Sequence, residues 1–174
     1  MSENNNTSAS AISDQKPNLE IYNKICTFLT EKSIQYRTVE HEPTFTSEES
    51  AKARGEDLST GGKAILMRFD EKDFRLFVLS ASKKIDSKKV KKLVNCKSTR
   101  FATSAELLTL TGLVPGSVPP FGKSILPFEL YVDETIVANE KIAFNAGSLT
   151  NSIVMTVKDY LSVANATVAC FSTD

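Results

Sequence analysis

The chain has 174 residues, 41% of them apolar and 24% charged, and its 21 basic residues balance 21 acidic ones. That length fits one domain with a real core plus some tail, and zero net charge leaves any nucleic-acid contact to a local patch. A single histidine, His41, and three scattered cysteines without CxxC spacing (Cys26, Cys96, Cys170) exclude most metal-hydrolase designs and offer one imidazole at most for a triad, so neither metal nor cofactor is expected.

Residues 1–16 are polar and small, and are expected to form a disordered tail ahead of one domain over 17–174. They show no charged-then-apolar leader pattern, and no apolar run in the chain is long enough to span a bilayer, so a cytoplasmic protein without a membrane partner is expected. A first helix is expected near Pro17, because Leu19, Tyr22, Ile25 (or Cys26) and Leu29 recur at helical spacing. "IQYRTVEHEP" alternates like a strand and stops at Pro43. "TSEESAKARG" reads as a short helix with Thr46 and Glu49 as a capping box and Gly55 as its end.

"KAILMRF" and "FRLFVLS", separated by the polar "DEKD", read as a hairpin. "SKKVKKLV" is an amphipathic helix with Val90, Leu93 and Val94 inward, and "TSAELLTLTG" is another, boxed by Thr103 and Glu106 and ended by Gly112. "FELYVD", "TIVAN", "KIAFNAG" and "SIVMTV" look like strands, Thr156 and Asp159 open a helix through "VKDYLSV", and "TVACF" closes the chain as a last strand. Strands and short helices alternate without a clean βαβ repeat. A single α+β domain follows, with a mixed sheet and helices packed outside it.

Five places could carry chemistry. "GLVPGSVPPFG" packs three glycines and three prolines into eleven residues. Proline fixes φ and removes N–H groups, and glycine lets backbone approach a ligand, so the loop offers main-chain groups on a stiff frame. Composition alone favours the plainer reading, a stiff helix-to-strand connection. "GGK" at Gly61–Lys63 puts a lysine at the mouth of a strand, able to bind phosphate or carboxylate, or simply exposed after a turn. It lacks the spacing of a P-loop. "FNAGSLTNS" could lend backbone N–H groups and hydroxyls to a pocket, or be a hairpin turn. His41 could be a base or a hydrogen-bonded structural residue. Lys83, Lys84, Lys88, Lys89, Lys91, Lys92, Lys97 and Arg100 stand against Asp86 alone, a surface for RNA phosphates or a solvated helix face.

Taken in order, "HEP", "TSEESAKARG", Lys63 eight residues after Gly55, "KIDSKKVKKLV", "TGLVPGSVPPFG" and "FNAG" before a strand resemble the YbaK-type domain. Its members are stand-alone relatives of the editing insertion of bacterial prolyl-tRNA synthetase. The resemblance runs from about Asn18 onward. It implies a curved mixed sheet (a partial barrel) flanked by short helices, and hydrolysis of the ester between tRNA and a wrongly attached amino acid. It puts the catalytic lysine at Lys63 and the Gly-x-x-x-Pro loop at Gly116, Ser117, Val118, Pro119 and Pro120, whose backbone would hold the ester and the water. His41, Thr46, Asn145, Ala146, Gly147 and Ser148 complete the expected substrate-binding set. Some relatives carry Ser at the Asn145 segment, and the synthetase insertions a His-containing version, so this segment bears on which amino acid is removed.

Mischarged aminoacyl-tRNA is the expected partner, with Lys83, Lys84, Lys88 and Lys89 as tRNA contacts. A synthetase is a further candidate partner, and DNA is not expected. An activated ester needs no metal or covalent nucleophile, so positioning and electrostatics suffice. A small pocket floored by "GSVPP" and "NAGS" would take Ala, Ser, Thr or Cys before Pro. The alternatives are a non-catalytic tRNA- or amino-acid-binding module of the same fold, and a generic esterase, which would lack any Gly-x-Ser-x-Gly motif.

Overall fold

The computed structural model describes residues 18–174, so the tail expected over 1–16 and a helix start at Pro17 lie outside the described residues. Helix α1 (Glu20–Glu31) buries Ile25 and Leu29, four apart on one face. The Glu20 N–H donates to the Asn18 side chain at its start. Strand β1 (Arg37–Glu40) is shorter than the run that suggested it. Helix α2 (Ser47–Arg54) is capped by the Thr46 hydroxyl, which accepts from the Glu49 N–H, and ended by Gly55 in the left-handed region. The Glu49 carboxylate accepts from the N–H of Phe45 at 2.9 Å, one residue beyond the cap, so the expected box is displaced at that arm.

A single 3-10 turn (Leu58–Thr60) leads into the expected hairpin, β2 (Gly62–Phe69) and β3 (Asp73–Ser80). Then come β4 (Lys84–Ile85), α3 (Ser87–Val94), β5 (Thr99–Phe101) and α4 (Ser104–Thr111), the last with the full reciprocal box of Thr103 and Glu106. Beyond the Gly/Pro loop lie β6 (Glu129–Asp133), α5 (Glu134–Val137), β7 (Lys141–Asn145), β8 (Asn151–Thr156), α6 (Val157–Ala164), β9 (Thr167–Ala169) and β10 (Ser172–Thr173). One expected strand, "TIVAN", is instead helix α5. The Asp133 carboxylate accepts from the Thr135 N–H, and Ile136 is fully buried, so a cap and burial outweigh the β-branched composition.

Five strands form a mixed sheet in the order β5-β2-β3-β6-β9, antiparallel around β2 and parallel from β3 to β9. Strands β1-β8-β7 form an antiparallel sheet, and β10 pairs with β4. No sheet among the described residues closes on itself, so the expected α+β domain is present with an open sheet rather than a closed one. Alternation along the hairpin splits its side chains between two cores. Leu66, Leu76 and Val78 join the larger one with Phe121, Phe144 and Tyr160; Met67, Phe69, Phe77 and Leu79 join a smaller one with Val90 of α3 and Phe171. A parallel bridge between Gly61 and Ala143 stitches the two larger sheets together.

Candidate active site

The seam between the two sheets opens into a cleft of about 570 Å³, part of it open to solvent. Three segments wall it: the start of α2 from Thr44, the Gly61–Ala64 end of β2, and the Gly/Pro loop at Gly116 and Val118. Asn145 at the end of β7 and Arg54 at the end of α2 close its inner side. Phe45 stands 79% exposed at the rim.

Space at the β2 mouth disfavours any side chain larger than glycine's. A Cβ at Gly62 would lie 2.7 Å from Ile142 Cδ1, and one at Gly61 3.0 Å from Ala81 Cβ. Lys63 follows directly, half-buried, and shares a strand face with Ile65 and Met67. Burial pulls its ammonium below the ordinary lysine range; Glu48 opposes that shift and Lys84 adds to it. Lys63 therefore feels the opposing charges of an acid and a second base.

The loop presents fewer backbone donors than its length suggests. Gly116 takes φ +86°, which only glycine adopts without strain. Pro119 and Pro120 have no N–H, and the Ser117 N–H is spent on the Val114 carbonyl at 3.1 Å. The N–H groups of Gly116 and Val118, both lining the cleft, make no hydrogen bond among the described residues. Two carbonyls hold the loop in place: Gly116 O accepts from Asn145 Nδ2 at 2.7 Å, and Pro120 O accepts from the buried Tyr160 hydroxyl at 2.6 Å.

Behind Asn145 lies a polar network. Arg54 Nη2 donates to Asn145 Oδ1 and Arg54 Nε to Ser152 Oγ, both at 2.9 Å. His41 Nε2 is 2.8 Å from the same Ser152 Oγ, and its Nδ1 is 2.8 Å from the Glu42 carbonyl. That carbonyl can only accept, so Nδ1 donates to it, while the Ser152 hydroxyl donates to Asn145 Oδ1 at 3.1 Å and so joins His41 to the same network. Thr44 and Ser50 hydroxyls pair at 2.7 Å.

Of the residues expected at the site, Thr46, Lys63, Gly116, Val118 and Asn145 meet on the cleft. His41 stands one layer back, against Ser152. Pro119, Pro120 and Ala146 are buried. Ser117, Gly147 and Ser148 line a different hollow, with Ile21 and Val114. Gly147 packs on Ile21, and the Ser148 hydroxyl donates to Asn151 Oδ1 at 2.9 Å, as in a turn. Lys84 and Lys88 are exposed, whereas Lys83 pairs with Asp174 and Lys89 Nζ donates to the Ser172 carbonyl at 2.8 Å. Sequence reasoning missed Arg54, Ser152 and Ser50. The one available signal was a basic residue just before a helix-ending glycine, which ordinarily marks a C-terminal charge and not a buried group.

The model of the aminoacyl-tRNA editing domain matches residues 41–163. The multifunctional Ser/Thr-tRNA deacylase ProXp-y of Escherichia coli K12 is 28% identical over 155 residues, covering 86% of this chain and 92% of its own. The prolyl-tRNA editing protein ProX of Acetoanaerobium sticklandii is 27% identical over 143 residues, 79% of this chain and 87% of its own. A solved structure described as a candidate trans-editing enzyme for prolyl tRNA synthetase superposes with a TM-score of 0.77 at 25% identity, covering 89% of this chain and 98% of that one.

Proposed function

The chain belongs to the aminoacyl-tRNA editing domain family, and from that premise we propose that it hydrolyses the ester of mischarged aminoacyl-tRNA in trans, at the Lys63 cleft. One observation carries the assignment of the site: a half-buried lysine lines the same cleft as Gly116 and Val118, whose backbone N–H groups make no hydrogen bond among the described residues. An aminoacyl ester is already activated, so a site that holds it still and stabilises the charge growing on its carbonyl oxygen can supply much of the rate.

In this reading Lys63 Nζ binds the ribose–phosphate end or the carbonyl of the substrate as a point charge. The Gly116 and Val118 N–H groups receive the developing oxyanion and help place the attacking water. The water oxygen adds to the carbonyl carbon, and the tetrahedral adduct collapses with cleavage of the C–O bond to the ribose; one water proton passes to the ribose oxygen, the other to solvent, and the amino acid leaves as its carboxylate. The adjacent 2′-hydroxyl of the terminal ribose would relay the proton to that ribose oxygen. His41, held behind Ser152, supports the wall rather than acting as base.

The narrow cleft suits a small amino acid such as Ala, Ser, Thr or Cys. Lys84, next to Lys63, and Lys88 extend a basic surface toward the acceptor stem. Lys83 and Lys89, tied to the C-terminal strand, contribute less. Recruitment by a synthetase and a cytoplasmic location, where tRNA is charged, belong to the same proposal. Multiple turnovers of seryl- or alanyl-tRNA by substoichiometric protein test it; tRNA binding without release of amino acid would identify a binding module instead.

A further inference from the structure

Arg54 is only 8% exposed, yet among the described residues no carboxylate forms an ion pair with it. Its Nε and Nη2 are fixed on two neutral acceptors, Ser152 Oγ and Asn145 Oδ1. Glu56, the acid that acts on it from a distance, gives its carboxylate to Arg37 at 2.8 Å and Lys141 at 3.7 Å. Burial draws the guanidinium down to about 10, against the pull of Glu56, so it stays charged at neutral pH.

The third nitrogen, Nη1, makes no hydrogen bond among the described residues. Arg68 Nε is the one described side-chain N or O atom both unpaired and sealed from solvent, so Nη1 opens onto space. That space is the cleft. Gly61, a cleft residue, lies beside it: a Cβ built there would come into ordinary contact with Nη1 at 3.7 Å. A buried cation clamped at two nitrogens, with a donor left over toward a cleft, is organised for an acceptor on a ligand.

The position of Lys63 narrows which part of the ligand this is. Lys63, less buried than Arg54 and influenced by the charges of Glu48 and Lys84, suits the ribose–phosphate end. Arg54 and Asn145, both buried, line the inner side, where the aminoacyl group would lie. A cation repels the α-ammonium of that group but accepts a hydroxyl oxygen as partner. An alanyl group would leave Nη1 desolvated and unpaired, and sites built to bond a substrate hydroxyl reject the analogue lacking it far more strongly than methylene fit can.

We propose that Arg54 is the specificity-determining residue of this site, its Nη1 donating to the side-chain oxygen of a seryl or threonyl ester. The proposal rests on the deacylase reading above. The test compares kcat/KM for seryl-, threonyl- and alanyl-tRNA in wild type and Arg54→Met. Wild type should favour the hydroxylated substrates at least tenfold, and the variant should bring that ratio toward one. An equal loss on all three substrates would overturn the proposal and leave Arg54 as a strut for Asn145. A wild-type ratio near one would overturn it as well.

Should Arg54→Met fail to fold, calorimetry on wild type with non-hydrolysable 3′-amide analogues decides the matter. Seryl-amide adenosine should bind at least tenfold more tightly than alanyl-amide adenosine, and equal affinity counts against Arg54. Failure of wild type to release any of the three amino acids would instead count against the deacylase reading, while the analogue affinities still judge Arg54.

Discussion

Asn145 Nδ2 donates to the Gly116 carbonyl at 2.7 Å, while Asn145 Oδ1 accepts from Arg54 at 2.9 Å. One side chain thus ties the end of β7 to the Gly/Pro loop and to the buried arginine. Asn145→Ala frees the loop and strands Arg54 Nη2, at a cost of about 1–3 kcal/mol for the unpaired donor. The expected result is a Tm lower by several degrees and a kcat lower by roughly 100-fold, since small misplacements of positioning groups are costly. A reduced Tm with unchanged kcat would show that the link supports the fold alone.

Lys63 gives a pH signature. If its protonated form is the active one, kcat/KM falls as pH rises through its depressed pKa. Lys84 disfavours the ammonium and Glu48 favours it. Lys84→Ala should therefore move the alkaline limb to higher pH, and Glu48→Gln should move it to lower pH. Rates corrected for spontaneous ester hydrolysis check this, and limbs that stay in place would remove Lys63 from the titrating step.

Asp133 yields a stability prediction. It is fully buried, and burial alone would raise its pKa. Hydrogen bonds from Phe171, Thr135 and Ser172 outweigh that and hold it below the ordinary range. A depressed folded pKa contributes stability above the unfolded value near 4, lost as pH falls through the folded value. Asp133→Asn should cost about 3 kcal/mol, or roughly 6–12 °C in Tm at neutral pH. The gap between the two proteins should shrink below about pH 4. A pH-independent gap would mean that shape rather than charge holds the C-terminal strand.

The basic segment separates by partner. Lys84→Ala with Lys88→Ala should flatten the fall of activity with salt, by a slope of about 1 per lost phosphate contact. Lys83→Ala, whose partner is Asp174, should change it less. Equal slopes for all variants would detach this surface from tRNA.

The fold was largely legible where local chemistry agrees with packing. The Thr103–Glu106 box, the Thr156 cap and the "DEKD" hairpin all appear as the sequence suggests. The "TIVAN" segment misleads because its cap is the preceding Asp133, whose carboxylate also serves the distant Phe171 and Ser172 N–H groups. At the site, the glycine–lysine mouth and the loop could be read as motifs. Arg54 could not: α2 carries polar residues on every face, so no periodicity marks Ser50, Ala51 and Arg54 as its buried side. Its partners Asn145 and Ser152 lie 91 and 98 residues away, and such long-range pairing leaves no local pattern.

Deacylation of tRNA charged with Ala, Ser, Thr, Cys and Pro, wild type beside Lys63→Ala, tests the central claim most directly. The expected result is catalytic release of one or more small amino acids by wild type, lost by at least 100-fold in the variant while its Tm stays close to wild type. Unimpaired deacylation by Lys63→Ala would contradict the assignment of the Lys63 cleft as the site of hydrolysis.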